Sequence, residues 1–207
     1  MELFSSLPPG PGYDFDAFYQ KPGLPLIGID EVGRGPLAGP VVTAAVVLDP
    51  LRPLEGLNDS KQLNERQREK LLPQILERTL HLGVGMSFPE EIDRVNIFQA
   101  TIMAMRRALA HTRLKEGILL IDGLSFACHP LTPVKVIKGD TLSPSIMAAS
   151  IVAKIIRDRL MTYYHLHYPQ YDFAKHKGYG TKTHREAIRA HGPSPLQIGR
   201  ASCRERV

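Results

Sequence analysis

Hydrophobic positions change their spacing along the chain, and the changes divide it into short strands and longer helices. Leu26–Glu31 and Val41–Leu48 are apolar, β-branched runs. Between them lies the turn-rich stretch Gly33-Arg34-Gly35-Pro36-Leu37-Ala38-Gly39-Pro40, so two strands joined by a hairpin-like loop are predicted. Asn64 and Gln67 have capping-box spacing and open a charged helix toward Arg78, which Pro73 is expected to kink or divide. Leu80–Ser87 reads as a third strand. Asn96 and Gln99 repeat the capping spacing, and Phe98, Ile102, Met105 and Leu109 then recur every three or four residues, which predicts an amphipathic helix. Ile118–Asp122 and Val134–Ile137 predict two further short strands. Ser143, with Pro144 at the first helical position, begins a long helix whose Ile151, Ile155 and Tyr163 share a stripe down to about His167. Thr183 and Glu186 predict the cap of a last helix, which Gly192-Pro193 ends.

The order is alternating α/β, without internal repeats. At 207 residues and 23.0 kDa, with 43% hydrophobic residues, the chain suits one domain with a substantial core. The Pro/Gly-rich stretch from Leu7 to Tyr13 marks residues 1–24 as a flexible N-terminal arm. Cys128 and Cys203 are far apart and lie in no zinc spacing, so a disulfide framework is not supported and a reducing cytoplasm is the default. No secretion signal is read at the start. The most apolar stretch, Val41 to Leu48, is too short to span a bilayer.

Charge adds direction. Residues 1–150 carry 15 Lys/Arg against 17 Asp/Glu, whereas residues 151–196 carry 8 against 3. A basic C-terminal region suits a polyanion, because each neutralised phosphate releases condensed counterions. A solvated helix face would look the same on charge alone.

The carboxylates fall where predicted strands end. Asp30 and Glu31 close the first strand, Asp122 closes the fourth, and Asp140 follows the fifth across Lys138-Gly139. Sites are commonly built on that rim of an α/β sheet, where loops converge on a rigid base. Taken singly, each acid is more plainly a strand-end residue facing water. Four together would repel unless a cation sat among them. Oxygen ligands without nearby His or Cys favour Mg²⁺ or Mn²⁺ over zinc, and two such ions about 3.5–4 Å apart suit phosphodiester hydrolysis. Adjacent strand residues face opposite ways, so Asp30 and Glu31 can share a site only if the strand twists or ends there.

At these residues a resemblance becomes specific. Gly28-Ile29-Asp30-Glu31-Val32-Gly33-Arg34-Gly35-Pro36-Leu37-Ala38-Gly39-Pro40-Val41-Val42 resembles the opening signature of ribonuclease HII. In order follow Asn58-Asp59-Ser60-Lys61-Gln62-Leu63, Ile121-Asp122-Gly123, Lys138-Gly139-Asp140, Ala148-Ala149-Ser150-Ile151-Val152-Ala153-Lys154, Arg157-Asp158-Arg159 and His176-Lys177-Gly178-Tyr179-Gly180-Thr181. The similarity covers about Leu26 to Leu196.

The resemblance implies a ribonuclease H-like fold: a central mixed five-stranded sheet flanked by helices, with a helical C-terminal region that grips the duplex, the catalytic domain spanning residues 25–196. It implies an endonuclease that hydrolyses the RNA strand of RNA–DNA hybrids and cuts 5′ of single ribonucleotides embedded in duplex DNA, leaving 3′-hydroxyl and 5′-phosphate ends. Asp30, Glu31, Asp122 and Asp140 match the family's catalytic, metal-binding carboxylates, which hold two Mn²⁺ or Mg²⁺ ions. Gly33, Arg34 and Gly35 match the loop whose backbone reads the ribose 2′-hydroxyl, the group that separates RNA from DNA. Tyr179 matches the tyrosine that packs on the sugar beside the RNA–DNA junction. Lys61, Lys154 and Lys177 match phosphate-contacting or charge-neutralising positions. A cytoplasmic monomer with no membrane partner is the family expectation.

Residues 197–207 depart from the family pattern. They resemble the in-frame translation of a sequencing adapter and are read as a non-native tail. Two other classes bear comparison. A non-catalytic nucleic-acid-binding module of this fold would gain nothing from acids that repel phosphate. A ribonuclease HIII-like nuclease or junction resolvase would share the fold, but HIII calls for an extra N-terminal domain and a glutamate at Asp140.

Overall fold

Five strands, β1 (Leu26–Val32), β2 (Val41–Leu48), β3 (Thr79–Ser87), β4 (Ile118–Asp122) and β5 (Thr132–Val136), form one sheet in the order β3-β2-β1-β4-β5. β1, β2 and β3 pair antiparallel, whereas β1 with β4 and β4 with β5 pair parallel, so the sheet is mixed, as expected. The computed structural model describes residues 9–57, 60 and 62–199. Around the sheet lie α1 (Tyr13–Tyr19), α2 (Glu65–Glu77), α3 (Pro89–Thr112), α4 (Pro144–His167), α5 (Phe173–His176) and α6 (Lys182–His191).

Every residue of β2 is buried, because both faces of the sheet are covered. Alternation sorts its side chains. Ala45 and Val47 pack with Ile102, Met105, Ala108 and Leu109 of α3, while Val42, Ala44 and Val46 pack with Leu71 and Ile75 of α2 and Ile151, Val152 and Ile155 of α4. α4 lies against β1 without a gap: a Cβ on Gly28 would stand 2.2 Å from the Ser145 carbonyl carbon. That close approach sets the following turns of α4 beside the end of β1.

Several expectations change in detail. α2 has the capping box at Asn64 and Gln67 but runs undivided through Pro73, which sits on its exposed face where an unbonded carbonyl can reach water. Asn96 caps as expected, its Oδ1 accepting from the N–H groups of Phe98 and Gln99. It does so inside α3, at φ 70°, where a second helical segment starts across a kink. Phe98 and Tyr163 are 42% and 56% exposed, so neither belongs to the core stripe. The last helix is capped by Thr181, whose Oγ1 accepts from His184 N–H, rather than by Thr183. The fifth strand starts at Thr132 and ends at Val136, one residue short of Ile137.

The N-terminal arm needs a larger correction. Residues 13–19 form α1, and Phe15 and Asp16 are buried. Asp16 accepts from the hydroxyls of Ser143 and Ser145 and from Ser145 N–H, satisfying groups at the start of α4. Residues 197–199 also make contacts: Gln197 bridges to Ala38 and is 2% exposed, and Ile198 N–H donates to Leu37 O. The rest of the expected tail, 200–207, lies outside the described residues.

α3 is fastened to the end of β3 by Arg107, which donates to both carboxylate oxygens of Glu91, at 2.9 and 2.6 Å, and to Met86 O at 2.6 Å. Those bonds hold the Glu91 carboxyl down to about 2. A depressed carboxyl stabilises the fold above its unfolded pKa, near 4.5, and the contribution fades as pH falls toward about 2. Glu91→Gln is therefore expected to cost about 1 kcal/mol at pH 7, since the pair is partly solvent-screened. Chemical denaturation from pH 7 down to pH 3 should show the two proteins converging; a constant difference would show that the carboxylate charge contributes nothing.

Candidate active site

The parallel ladder between β1 and β4 ends at Ile29 opposite Ile121, while the antiparallel ladder on the other side runs on to Val32 opposite Val42. Asp30 and Glu31 therefore stand where β1 has lost one neighbour but keeps the other, and both reach the same cleft. That cleft, about 500 Å³, is lined by Asp30, Glu31, Val32, Gly33, Arg34, Gly35, Ile97, Asp122 and Tyr179.

Asp30 is 6% exposed. Burial, then the charges of Glu31 and Asp122, push its carboxyl well above the usual carboxylate range, against the pull of the Ser150 hydroxyl and the Glu31 N–H. Burial also raises Glu31, Asp122 adds to the rise, and Arg34 opposes it through an ion pair at 3.2 Å. Glu31 Oε2 is buried without a hydrogen-bond partner among the described residues. Asp122 accepts from Gly139 N–H at 2.7 Å. Asp140, the residue after Gly139, is buried in the 3-10 turn that follows β5.

Three of the four expected acids thus line one cleft, and the fourth, Asp140, directly follows the glycine whose N–H bonds Asp122. As the side chains stand, no three His, Cys, Asp or Glu groups among the described residues form a ready coordination set. The donor chemistry nonetheless fits a hard divalent cation. The set is all oxygen, the acids are held mutually repelling in a low-dielectric rim, and one buried oxygen has no partner.

The glycine loop and Tyr179 form the opposite side. Gly33 has φ 110°, and a Cβ there would stand 2.5 Å from Pro40 O. Gly35 is different: a Cβ there would meet only Tyr179 Cε1, at 4.0 Å. Tyr179 is 41% exposed, and Lys154 Nζ lies 5.8 Å from its ring centre. Lys154 also donates to Asp158 Oδ1 at 2.8 Å. Lys177, two residues before the tyrosine, donates to Thr162 Oγ1 and stands outside the cleft lining. Lys61 lies outside the described residues.

Sequence reasoning assigned no role to four residues that the structure brings to this site. Ser150 donates to Asp30, and Ser60 Oγ lies 2.7 Å from Ser150 Oγ. Arg157 is fully buried beneath the cleft. Ile97 enters the lining through the kink at Asn96. A signal for Arg157 did exist: it follows Ala149 and Ala153 at helical spacing on the apolar face of α4 and precedes Met161, a run in which a charge is out of place.

Comparison with known proteins agrees with this geometry. The family model described as Ribonuclease HII matches residues 27–204. A ribonuclease HII from Syntrophotalea carbinolica is 50% identical over 197 residues, 95% of this chain and 94% of that protein. The crystal structure of ribonuclease H2 from Pyrococcus horikoshii superposes with a TM-score of 0.70 at 26% identity, covering 88% of this chain and 98% of that one. The fold is shared as well by Bst-RNase HIII in complex with Mn²⁺, at 22% identity and a TM-score of 0.60, over 82% of this chain and 63% of that one.

Proposed function

The chain belongs to the ribonuclease HII family, and from that membership we propose that it cuts duplex DNA on the 5′ side of an embedded ribonucleotide as well as the RNA strand of RNA–DNA hybrids. The observation that carries the proposal is the placement of Asp30, Glu31 and Asp122 across one cleft from a glycine loop and an exposed tyrosine. Acids alone would repel a polyanion, and a glycine loop with a tyrosine alone would only bind one. Together they fit hydrolysis at a chosen sugar.

Asp30, Glu31 and Asp122, with Asp140 completing the set, would hold two Mg²⁺ or Mn²⁺ ions. Bound there, the cations would supply Lewis-acid stabilisation of charge on the phosphate and make water a competent nucleophile near neutral pH. In the hydrolysis, water adds at phosphorus and the bond to the upstream 3′ oxygen breaks. That oxygen leaves with a proton, which gives 3′-hydroxyl and 5′-phosphate ends.

The chain's own residues choose the position of the cut. The open side of Gly35 lets main chain approach the ribose, where a peptide group can bond the 2′-hydroxyl that DNA lacks. The Tyr179 ring offers an apolar face to the neighbouring sugar, and Lys154 beside it adds positive charge for the backbone. Ser150 keeps the Asp30 carboxylate turned toward the cleft. The protein acts as a monomer in the cytoplasm, and no helix among the described residues is long and apolar enough to cross a membrane.

The direct test uses duplex DNA with one ribonucleotide, an all-DNA duplex of the same sequence, and either Mg²⁺ or EDTA. Cleavage is expected only in the ribonucleotide duplex with metal, at a single bond 5′ of the ribose. Equal cutting of the all-DNA duplex, or cutting in EDTA, would sink the reading.

A further inference from the structure

Arg157 is the largest fully buried side chain among the described residues, and none of their carboxylates pairs with it. The adjacent Asp158 is instead bonded to Lys154 and lies 3.7 Å from Arg68. The guanidinium spends its hydrogen bonds on main-chain carbonyls from two separate loops. Nε donates to Pro40 O at 3.0 Å and Nη2 to Ala38 O at 3.0 Å, both in the loop that begins with Gly33-Arg34-Gly35. Nη1 donates to Lys177 O at 2.9 Å, two residues before Tyr179. The guanidinium carbon also lies 5.9 Å from the centre of the Tyr179 ring.

We propose that Arg157 is a positioning residue that locks the glycine loop and the tyrosine loop into one rigid reader of the ribose and its neighbouring sugar. A buried cation without a paired anion must be solvated by dipoles, and here the dipoles are the backbones of those two loops. If either loop lifted away, a charged donor would be left unsatisfied in the interior, so each loop is held in place by the need of the same group. Gly33 fits this arrangement closely, since a Cβ there would stand 2.7 Å from Arg157 Nε. The loops also meet directly, through Leu37 N–H to Gly178 O, and Arg157 underlies that junction. A lysine offers no planar fork and cannot reach three divergent carbonyls at once.

The inference rests on the cleavage proposed above, and a double-mutant cycle separates the two. Wild type, Arg157→Lys, Tyr179→Ala and the double variant are assayed for kcat/KM on duplex DNA containing one ribonucleotide, each after its melting temperature is recorded. Arg157→Lys is expected to lower kcat/KM about tenfold or more in the presence of Tyr179. In the Tyr179→Ala background the same change should cost less than about threefold, because the reader it aligns is already broken. A merely structural role would give equal losses in the two backgrounds, and that result overturns the inference while leaving the function intact. An inactive wild type overturns both. If Arg157→Lys does not fold, amide hydrogen exchange on the wild type decides. Leu37, Gly39 and Gly178 should then open at one common rate, and clearly separate rates for the two loops overturn the coupling.

Discussion

Asp30→Asn is expected to abolish cleavage while leaving the protein more heat-stable than before. Loss of one ligand carboxylate removes several kcal/mol of transition-state stabilisation, about 10³-fold in rate. The stability gain has a separate cause. Burial and the charges of Glu31 and Asp122 disfavour the Asp30 carboxylate in the folded protein, and a neutral amide escapes that penalty. Its carbonyl oxygen can still accept from Ser150 and from Glu31 N–H. A gain of about 1 kcal/mol corresponds to roughly 2–4 °C for a chain of this size. The measurement is calorimetry in EDTA and again with Mn²⁺. Metal should raise the wild-type melting temperature, by as much as about 2.7 kcal/mol of stability at a hundredfold excess over Kd, and raise the variant's far less. Equal metal-induced shifts in the two proteins would remove Asp30 from the ligand set, and a lower melting temperature for the variant in EDTA would refute the electrostatic account.

The two glycines that flank Arg34 should fail in opposite ways. Gly33→Ala forces a Cβ into a left-handed conformation and within 2.5 Å of Pro40 O, so it is expected to cost about 3 kcal/mol or more, roughly 6–12 °C in melting temperature. Gly35→Ala meets nothing closer than 4.0 Å, so the fold should keep its melting temperature within about 2 °C. The new methyl would nonetheless stand where the sugar must come, and a displacement of about 1 Å there can cost on the order of 10²-fold in kcat/KM. Melting curves with cleavage rates on a ribonucleotide-containing duplex separate the cases. A Gly35→Ala protein that cuts normally would mean that the ribose is read elsewhere.

Much of this fold is written locally in the chain. β2 and β4 begin and end where their apolar runs do, and α2 starts at its capping box, because those signals lie within a few residues of each other. What escaped prediction depends on distant partners. α1 sits in a segment whose prolines and glycines read as a loose arm, yet its Phe15 and Asp16 meet groups about 130 residues away. Tyr163 keeps helical spacing with Ile151 and Ile155 but meets the rings of Tyr164 and His167 on its own helix and stays exposed. At the site, Asp30, Glu31 and Asp122 were legible as strand-end acids, and the cleft unites them. Asp140 is carried by the short turn after β5 rather than by a strand end. Ser60, Ser150 and Arg157 act on other residues rather than presenting themselves to the cleft, so a reading that looks for reactive groups passes over them.

The docking of Asp16 on Ser143 and Ser145 makes the first turn of α4 a debtor to residues far upstream. That helix carries Ser150, Lys154 and Arg157, three of the groups that shape the cleft. A shortened version beginning near Leu24 would lose the acceptor of two serine hydroxyls and a peptide N–H, together with the packing of Phe15, at the root of the helix the catalytic machinery leans on. Affinity tags and fused partners placed ahead of the chain must therefore leave residues 13–19 free to seat themselves.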